Sequence, residues 1–290
     1  MKALIVGMGI GQLYKSVFSS LNYSIETVDA DPDKEATYSN VESVTGEYDI
    51  AVICTPNFTH ESIARTIAAR CKIVLIEKPG VQDSKSWFCL IEDFPSTRFM
   101  MVKNNQYRKE ISQFKYLAEQ SVLINVIWNN KNRIPNPGSW FTTKEKAFGG
   151  VSRDLIPHML SYYCILSNYK SGRQVGVLAK QQHKLENLTD TDYGIVKYDG
   201  IHDVDDYCRL DYNNESTHWT LQADWKNDTN DDVYISFSSK NSSVKHTLGL
   251  CPEEAYKKMI ETAVQNLNNN EFWQSQFEQD MWIHQQIEKL

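Results

Sequence analysis

The first thirty residues constrain the fold most. Ala3-Leu4-Ile5-Val6 is a short apolar run. Gly7-Met8-Gly9-Ile10-Gly11-Gln12 follows at once, then a helical stretch to about Leu21, then a second run from Ser24 to Val28 that ends at Asp29. Strand, glycine turn, helix, strand and acid is the order of a dinucleotide-binding βαβ unit. Glycines let the backbone approach a pyrophosphate, which sits on the N–H groups of the helix start. Asp29 stands about 20 residues past the turn, where a carboxylate accepts from a ribose hydroxyl.

Residues 7 to 12 and Asp29 are therefore candidate cofactor ligands. A carboxylate at this place repels a 2′-phosphate, which favours NAD over NADP; Asp31 is an alternative for the same role. The third glycine arrives one residue early, at Gly11, with Gln12 in the usual sixth place, so either the turn is shorter or the helix starts sooner. A glycine turn can also be only a tight strand-to-helix loop. The flanking strand and the acid favour the nucleotide reading.

The alternation continues. Asp49 to Cys54 reads as a strand, and Thr55-Pro56-Asn57-Phe58-Thr59-His60 leads into a helix over about 61–69. Pro56 holds Thr55 extended and Asn57 tolerates unusual dihedrals, so a shaped loop is expected beside the cofactor cleft. Thr59 is placed to cap the helix. His60 reads equally as a first-turn helix residue or a cofactor contact. Ile73-Val74-Leu75-Ile76 is the continuous apolar run of a buried parallel strand, and Glu77-Lys78-Pro79 closes it. Ligands bind outside the carboxyl ends of such strands, which places Lys78 where chemistry is done.

Composition sets limits on the rest. The chain has 290 residues, long enough for two domains of moderate size, and a formal charge of −7 argues against nucleic acid or an anionic membrane as main partner. Six scattered cysteines with no paired spacing read as reduced thiols of a cytoplasmic protein, with no metal site implied. No secretory leader opens the sequence and no apolar run is long enough to span a bilayer. Asp199, Asp203, Asp205 and Asp206 lack the glycine and terminal glutamate of a calcium loop and read as a solvated turn.

A strand over 99–102 leads into Lys103-Asn104-Asn105-Gln106-Tyr107-Arg108, and the domain boundary is placed near Val102. The expectation is an α/β chain: a Rossmann domain over 1–102, then an α+β domain over 103–290 with an open, largely antiparallel sheet. Its strands are read at 122–128, 173–183, 193–198, 206–212, 217–225 and 232–239. Between the first two, a long polar loop carries Trp140, which reads either as a platform for a sugar face or as a core anchor. After Gly149-Gly150 a helix is expected from Ser152 or Arg153, with Asp154 and His158 on one face and Pro157 tolerated in the first turn. Two amphipathic helices close the chain, the second with Trp273, Phe277, Met281 and Trp282 as its packing stripe.

Taken together, Thr55-Pro56-Asn57 with His60, the strand ending in Glu77-Lys78-Pro79, and Gly149-Gly150 with Asp154 and His158 resemble the Gfo/Idh/MocA oxidoreductases. That family includes glucose-fructose oxidoreductase and inositol dehydrogenase. The resemblance spans roughly the first 160 residues. It implies NAD(P)-dependent hydride transfer to or from a secondary alcohol or carbonyl of a small polyhydroxylated substrate. Lys78, Asp154 and His158 would be the catalytic set, and Thr55, Pro56, Asn57, His60, Glu77 and Lys78 would line the cofactor. Asn105 and Arg108 become substrate candidates, beside the alternative of a solvated crossover loop. His158 titrates in the right range for a base, Lys78 would steady the developing alkoxide, and the proton can be assigned to either. The resemblance also implies a homo-oligomer paired through the second sheet. Two alternatives stay open: a reductase of a non-sugar substrate, and a dinucleotide-binding sensor without catalysis.

Overall fold

The computed structural model describes residues 1–227 and 230–290. Its architecture is α/β, as expected, and the chain divides into two compact units, Met1–Arg108 with Cys251–Glu288, and Lys109–Leu250 with Lys289–Leu290.

The first unit is built on β1 (Lys2–Val6), α1 (Gly11–Ser20), β2 (Ser24–Val28), β3 (Tyr48–Ile53), α2 (His60–Ile67), β4 (Cys71–Ile76), α3 (Ser84–Asp93) and β5 (Arg98–Met101). The strands are parallel in the order β2-β1-β3-β4-β5. Leu4, Val52, Val74 and Leu75 are wholly buried because helices cover both faces of a parallel sheet, which is why these strands read as unbroken apolar runs. From β1 the chain builds outward to β2 on one side and β3 on the other. The carboxyl ends of β1 and β3 therefore flank the switch point, where open α/β sheets bind ligands.

The second unit holds α4 (Ile111–Glu119), β6 (Leu123–Asn129), α5 (Lys144–Ala147), α6 (Val151–Asp154), α7 (Ile156–Leu166), β7 (Arg173–Lys180), β8 (Tyr207–Asn214), β9 (Thr217–Asp224), β10 (Asp232–Ser238) and β11 (Ser243–Thr247). Its six strands run β11-β10-β6-β9-β8-β7, antiparallel throughout except for the parallel pair β6–β9. Along β8, Cys208, Leu210, Tyr212 and Asn214 are buried in strict alternation, the signature of a sheet with one covered face. The apolar helix α7 supplies the cover: Tyr163 stacks on Tyr212 at 4.7 Å and meets the edge of Trp219 at 5.1 Å.

Residues 193–198, expected as a strand, are irregular. Their backbone is spent on the preceding loop instead, with Asn136 N–H donating to Tyr193 and Lys197 N–H to Pro137. The acidic stretch is a solvated turn only in part, at exposed Asp199 and Asp203. Asp206 is fully buried and accepts from the N–H groups of Gln182 and His183, and Asp203 accepts from Lys144 N–H.

After Leu250 the chain returns to the first unit through α8 (Glu253–Gln265) and α9 (Asn270–Ile287). The division thus differs from the one read at Val102: the boundary falls at Arg108, and the C-terminal helices do not belong with the second sheet. The reason is a shared core, in which Tyr256, Met259, Ile260, Ala263 and Trp273 pack with Ile5, Tyr14, Phe18, Val52 and Leu75. The expected stripe on α9 is also rotated. Trp273, Gln276, Asp280, Ile283, His284 and Ile287 face inward, while Phe277, Met281 and Trp282 are half-buried. Most of the polar residues there find partners, although Gln276 Oε1 is buried without one. Asp280 binds the Lys103 ammonium and the Met101 N–H, and Gln279 binds Gln106.

Candidate active site

The glycine turn leaves β1 at Gly7, whose φ of +92° lies in the region glycine favours. A Cβ there would stand 2.8 Å from the Cys54 backbone, so the loops after β1 and β3 pass in contact. The helix starts sooner than the usual fingerprint places it, at Gly11, without a side-chain cap and with no acid in its first turn. A Cβ at Gly11 would sit 2.9 Å from Ile5 Cγ2. Gly11 therefore fills the close helix–strand packing role of the third glycine despite its early position. The Met8 N–H donates to Asp29 Oδ2 at 2.6 Å, and the Asp31 N–H to Asp29 Oδ1 at 2.9 Å. Asp29 is thereby fixed at the lip of the turn, and Asp31 takes no such place. Ile10 and Gln12 are exposed on the same turn.

Beyond β3, Thr59 does not cap α2. Its hydroxyl turns back onto the loop, 2.7 Å from the Pro56 carbonyl, which accepts, and 2.7 Å from Thr55 Oγ1. Asn57 and Pro56 are half-exposed. His60 is fully buried, with Nδ1 2.7 Å from the Gly80 carbonyl and Nε2 2.8 Å from the Thr55 carbonyl. It stands in the first turn of α2, one of the two roles the sequence offered, and ties the loops after β3 and β4 together. Burial pushes its pKa below the ordinary value, and the nearby Lys78 adds to that.

Glu77 is buried at the end of β4, and its Oε1 accepts from the Tyr14 hydroxyl at 2.7 Å. Burial, reinforced by Glu77, holds the Tyr14 phenol well above its ordinary pKa, so it stays a donor. This bond links the glycine-turn helix to the loop that carries Lys78. Lys78 itself is half-exposed, and Pro79 and Gly80 behind it are buried. Farther on, Asn105 and Arg108 form no solvated crossover: both are buried, and Arg108 Nε donates to Asn105 Oδ1 at 2.8 Å.

In the second unit the single helix expected from Ser152 is broken. α6 ends at Asp154, Leu155 interrupts it, and Pro157 stands in the first turn of α7, where its missing N–H costs nothing. Asp205 holds the start of α6, accepting from the N–H groups of Gly150 and Ser152 at 2.9 and 2.8 Å. Asp154 Oδ2 accepts from the indole N–H of buried Trp225 at 3.0 Å, and the His158 ring stacks on Trp128 at 5.9 Å between centroids. Trp140 packs on Phe141 at 4.4 Å and is half-buried.

Comparison with known proteins gives the first unit a likeness. Residues 2–98 match the Gfo/Idh/MocA model, described as an oxidoreductase family with an NAD-binding Rossmann fold. Over those residues the chain is similar to the Gfo/Idh/MocA oxidoreductases.

A protein of Amycolatopsis mediterranei named as a UDP-kanosamine synthase oxidoreductase subunit is 29% identical over 156 residues, 49% of this chain and 44% of that protein. The match thus spans less than half of the relative's length. The solved structure of GenD2 from gentamicin A biosynthesis, in complex with NAD, superposes with a TM-score of 0.75 over 99% of this chain and 92% of that one, at 17% identity. A myo-inositol dehydrogenase from Corynebacterium glutamicum gives 0.72 over 99% and 94%, at 14% identity. At such identities the superpositions show shared fold.

The glycine turn fits a dinucleotide here. A Cβ at Gly9 would meet nothing within 4 Å, so open space lies against the uncapped helix start. Several supporting residues left no mark in the sequence. Trp128 and Trp225 are ordinary aromatic positions at strand ends. Tyr14 reads as one more apolar-face residue of α1, and only its distant partner, Glu77, shows what its hydroxyl is for.

Proposed function

We propose that the chain is an NAD-linked oxidoreductase acting on a secondary alcohol, or the matching carbonyl, of a small polyhydroxylated substrate. The observation that carries the reading is the set at the strand ends of the first unit: an uncapped glycine-turn helix after β1, Asp29 at its lip, and Lys78 leaving β4 on the far side of β3. The N–H groups at the start of α1 would hold the pyrophosphate. Each oxygen of Asp29 keeps a lone pair for a ribose hydroxyl, and its charge disfavours a 2′-phosphate, so NAD is the proposed cofactor.

When bound, that cofactor supplies a nicotinamide that takes or gives a hydride. The residues of this chain manage the proton. Lys78 donates to the substrate oxygen and steadies its developing negative charge. His158, held by stacking on Trp128, serves as the base for the hydroxyl proton, and Asp154, oriented by the Trp225 indole, positions the substrate or its charge. The sugar and cyclitol names among the comparisons favour a polyol over a non-sugar substrate.

The test is turnover on a panel of cyclitols, sugars and nucleotide-linked sugars. Lys78→Met and His158→Ala are expected to lower kcat by about 10²- to 10⁴-fold while NADH binding survives. Wild-type rates in both variants would overturn the assignment.

A further inference from the structure

The Lys78 loop is a closed turn that is itself pinned at one peptide. Gly80 N–H donates back to the Glu77 carbonyl at 2.9 Å, so residues 77 to 80 move as a unit. Gly80 has a φ of +83° and no side chain to anchor it. Its fixing comes from outside. The Gly80 carbonyl faces His60 Nδ1 at 2.7 Å, and the Val81 N–H, the other half of the same peptide, donates to His284 Nε2 at 3.3 Å. Both rings are wholly buried.

Each ring is anchored in turn. His60 also reaches the Thr55 carbonyl, beyond β3. Since His284 Nε2 accepts from Val81, its proton resides on Nδ1, which donates to the Asp280 carbonyl at 2.7 Å. The Asp280 carboxylate holds Met101 N–H at the end of β5 and the Lys103 ammonium. The ring face of His284 lies against Trp87 at 5.2 Å. Contact with Gly80 is close enough that a Cβ there would stand 2.6 Å from His284 Nε2.

We propose that His60 and His284 are positioning residues, which fix the Lys78 amine by gripping the Gly80–Val81 peptide from α2 and α9. The proposal rests on the assignment of Lys78 to proton handling. A histidine that only filled space would be replaceable by any ring. One that holds a peptide needs an acceptor where Nε2 stands. Small displacements of a reacting group carry a large rate cost, on the order of 10²-fold for about 1 Å.

The experiment compares His284→Phe, His284→Gln and His60→Asn with wild type. Phenylalanine keeps the stack on Trp87 and loses the acceptor; glutamine places an acceptor where Nε2 was; asparagine at 60 retains a donor toward Gly80 and loses the Thr55 contact. The readouts are kcat, KM and the NADH dissociation constant, amide exchange at Val81, and the pH profile of Lys78 acylation by acetic anhydride, read by mass spectrometry.

His284→Phe is expected to lower kcat by roughly 10²-fold with NADH affinity unchanged. It should also speed Val81 exchange and shift the Lys78 profile, while His284→Gln restores most of each. His60→Asn should show the same pattern in weaker form, and carries the test if the phenylalanine variant does not fold. Unchanged exchange and acylation in His284→Phe, or His284→Gln no better than phenylalanine, would overturn the proposal. If wild type turned over no substrate, the reading of function would fail, whereas exchange and acylation would still decide the positioning.

Discussion

His60 faces two carbonyl oxygens, at 2.7 and 2.8 Å, with a ring that in its neutral form carries a single N–H. Only the imidazolium satisfies both, yet burial drives the folded-state pKa below the ordinary 6.5, and Lys78 pushes the same way. A group whose folded pKa is depressed binds more protons unfolded, so its contribution is present above the unfolded pKa and lost as pH falls through the folded one. The thermal midpoint of wild type is therefore expected to drop below about pH 6.5 more steeply than that of His60→Asn. Parallel profiles would show that His60 does not titrate with unfolding. At this scale the sequence was partly legible. The glycine turn and the place of Asp29 beside it were legible by spacing, because close backbone approach and the return of β2 to the side of β1 need fixed separations along the chain. The function of His60 was not, since both its partners are backbone atoms that every residue possesses.

Among the elements, α9 diverges most from its sequence pattern. Its inward face carries Gln276, Asp280 and His284, polar residues that periodicity sends outward. Burial becomes acceptable only because Lys103, 177 residues away, supplies the countercharge and Met101 an N–H. No local pattern encodes a partner at that distance. The pair also predicts an asymmetry. Asp280→Ala strands a buried ammonium and should cost about 3–5 kcal/mol in urea unfolding, whereas Asp280→Leu combined with Lys103→Met should cost much less. Equal losses would mean that packing, not the ion pair, sets the helix. The break between α6 and α7 was legible in part, from Pro157, whereas the start of α6 depends on Asp205 reaching back to the Gly150 and Ser152 N–H groups.

For the whole molecule, strand-by-strand alternation exposed the first unit as far as Val102, because buried parallel strands and amphipathic helices each have a period. That the last helices return to this unit was not legible, since a helix pattern states which face is buried but not against what. The return makes the nucleotide domain dependent on chain that follows the second sheet. A chain ending at Leu250 would strip Tyr256, Met259, Ile260, Ala263 and Trp273 from the core around Ile5 and Phe18. It is expected to bind a hydrophobic dye and lose cooperative unfolding of the first unit. Retention of the full-length midpoint would contradict the shared core. The central claim, that this first unit holds NAD for hydride transfer, is tested most directly by titrating the purified protein with NADH and with NADPH while following nicotinamide fluorescence. Saturable NADH binding with much weaker NADPH binding is the predicted result; no binding of either would contradict the account.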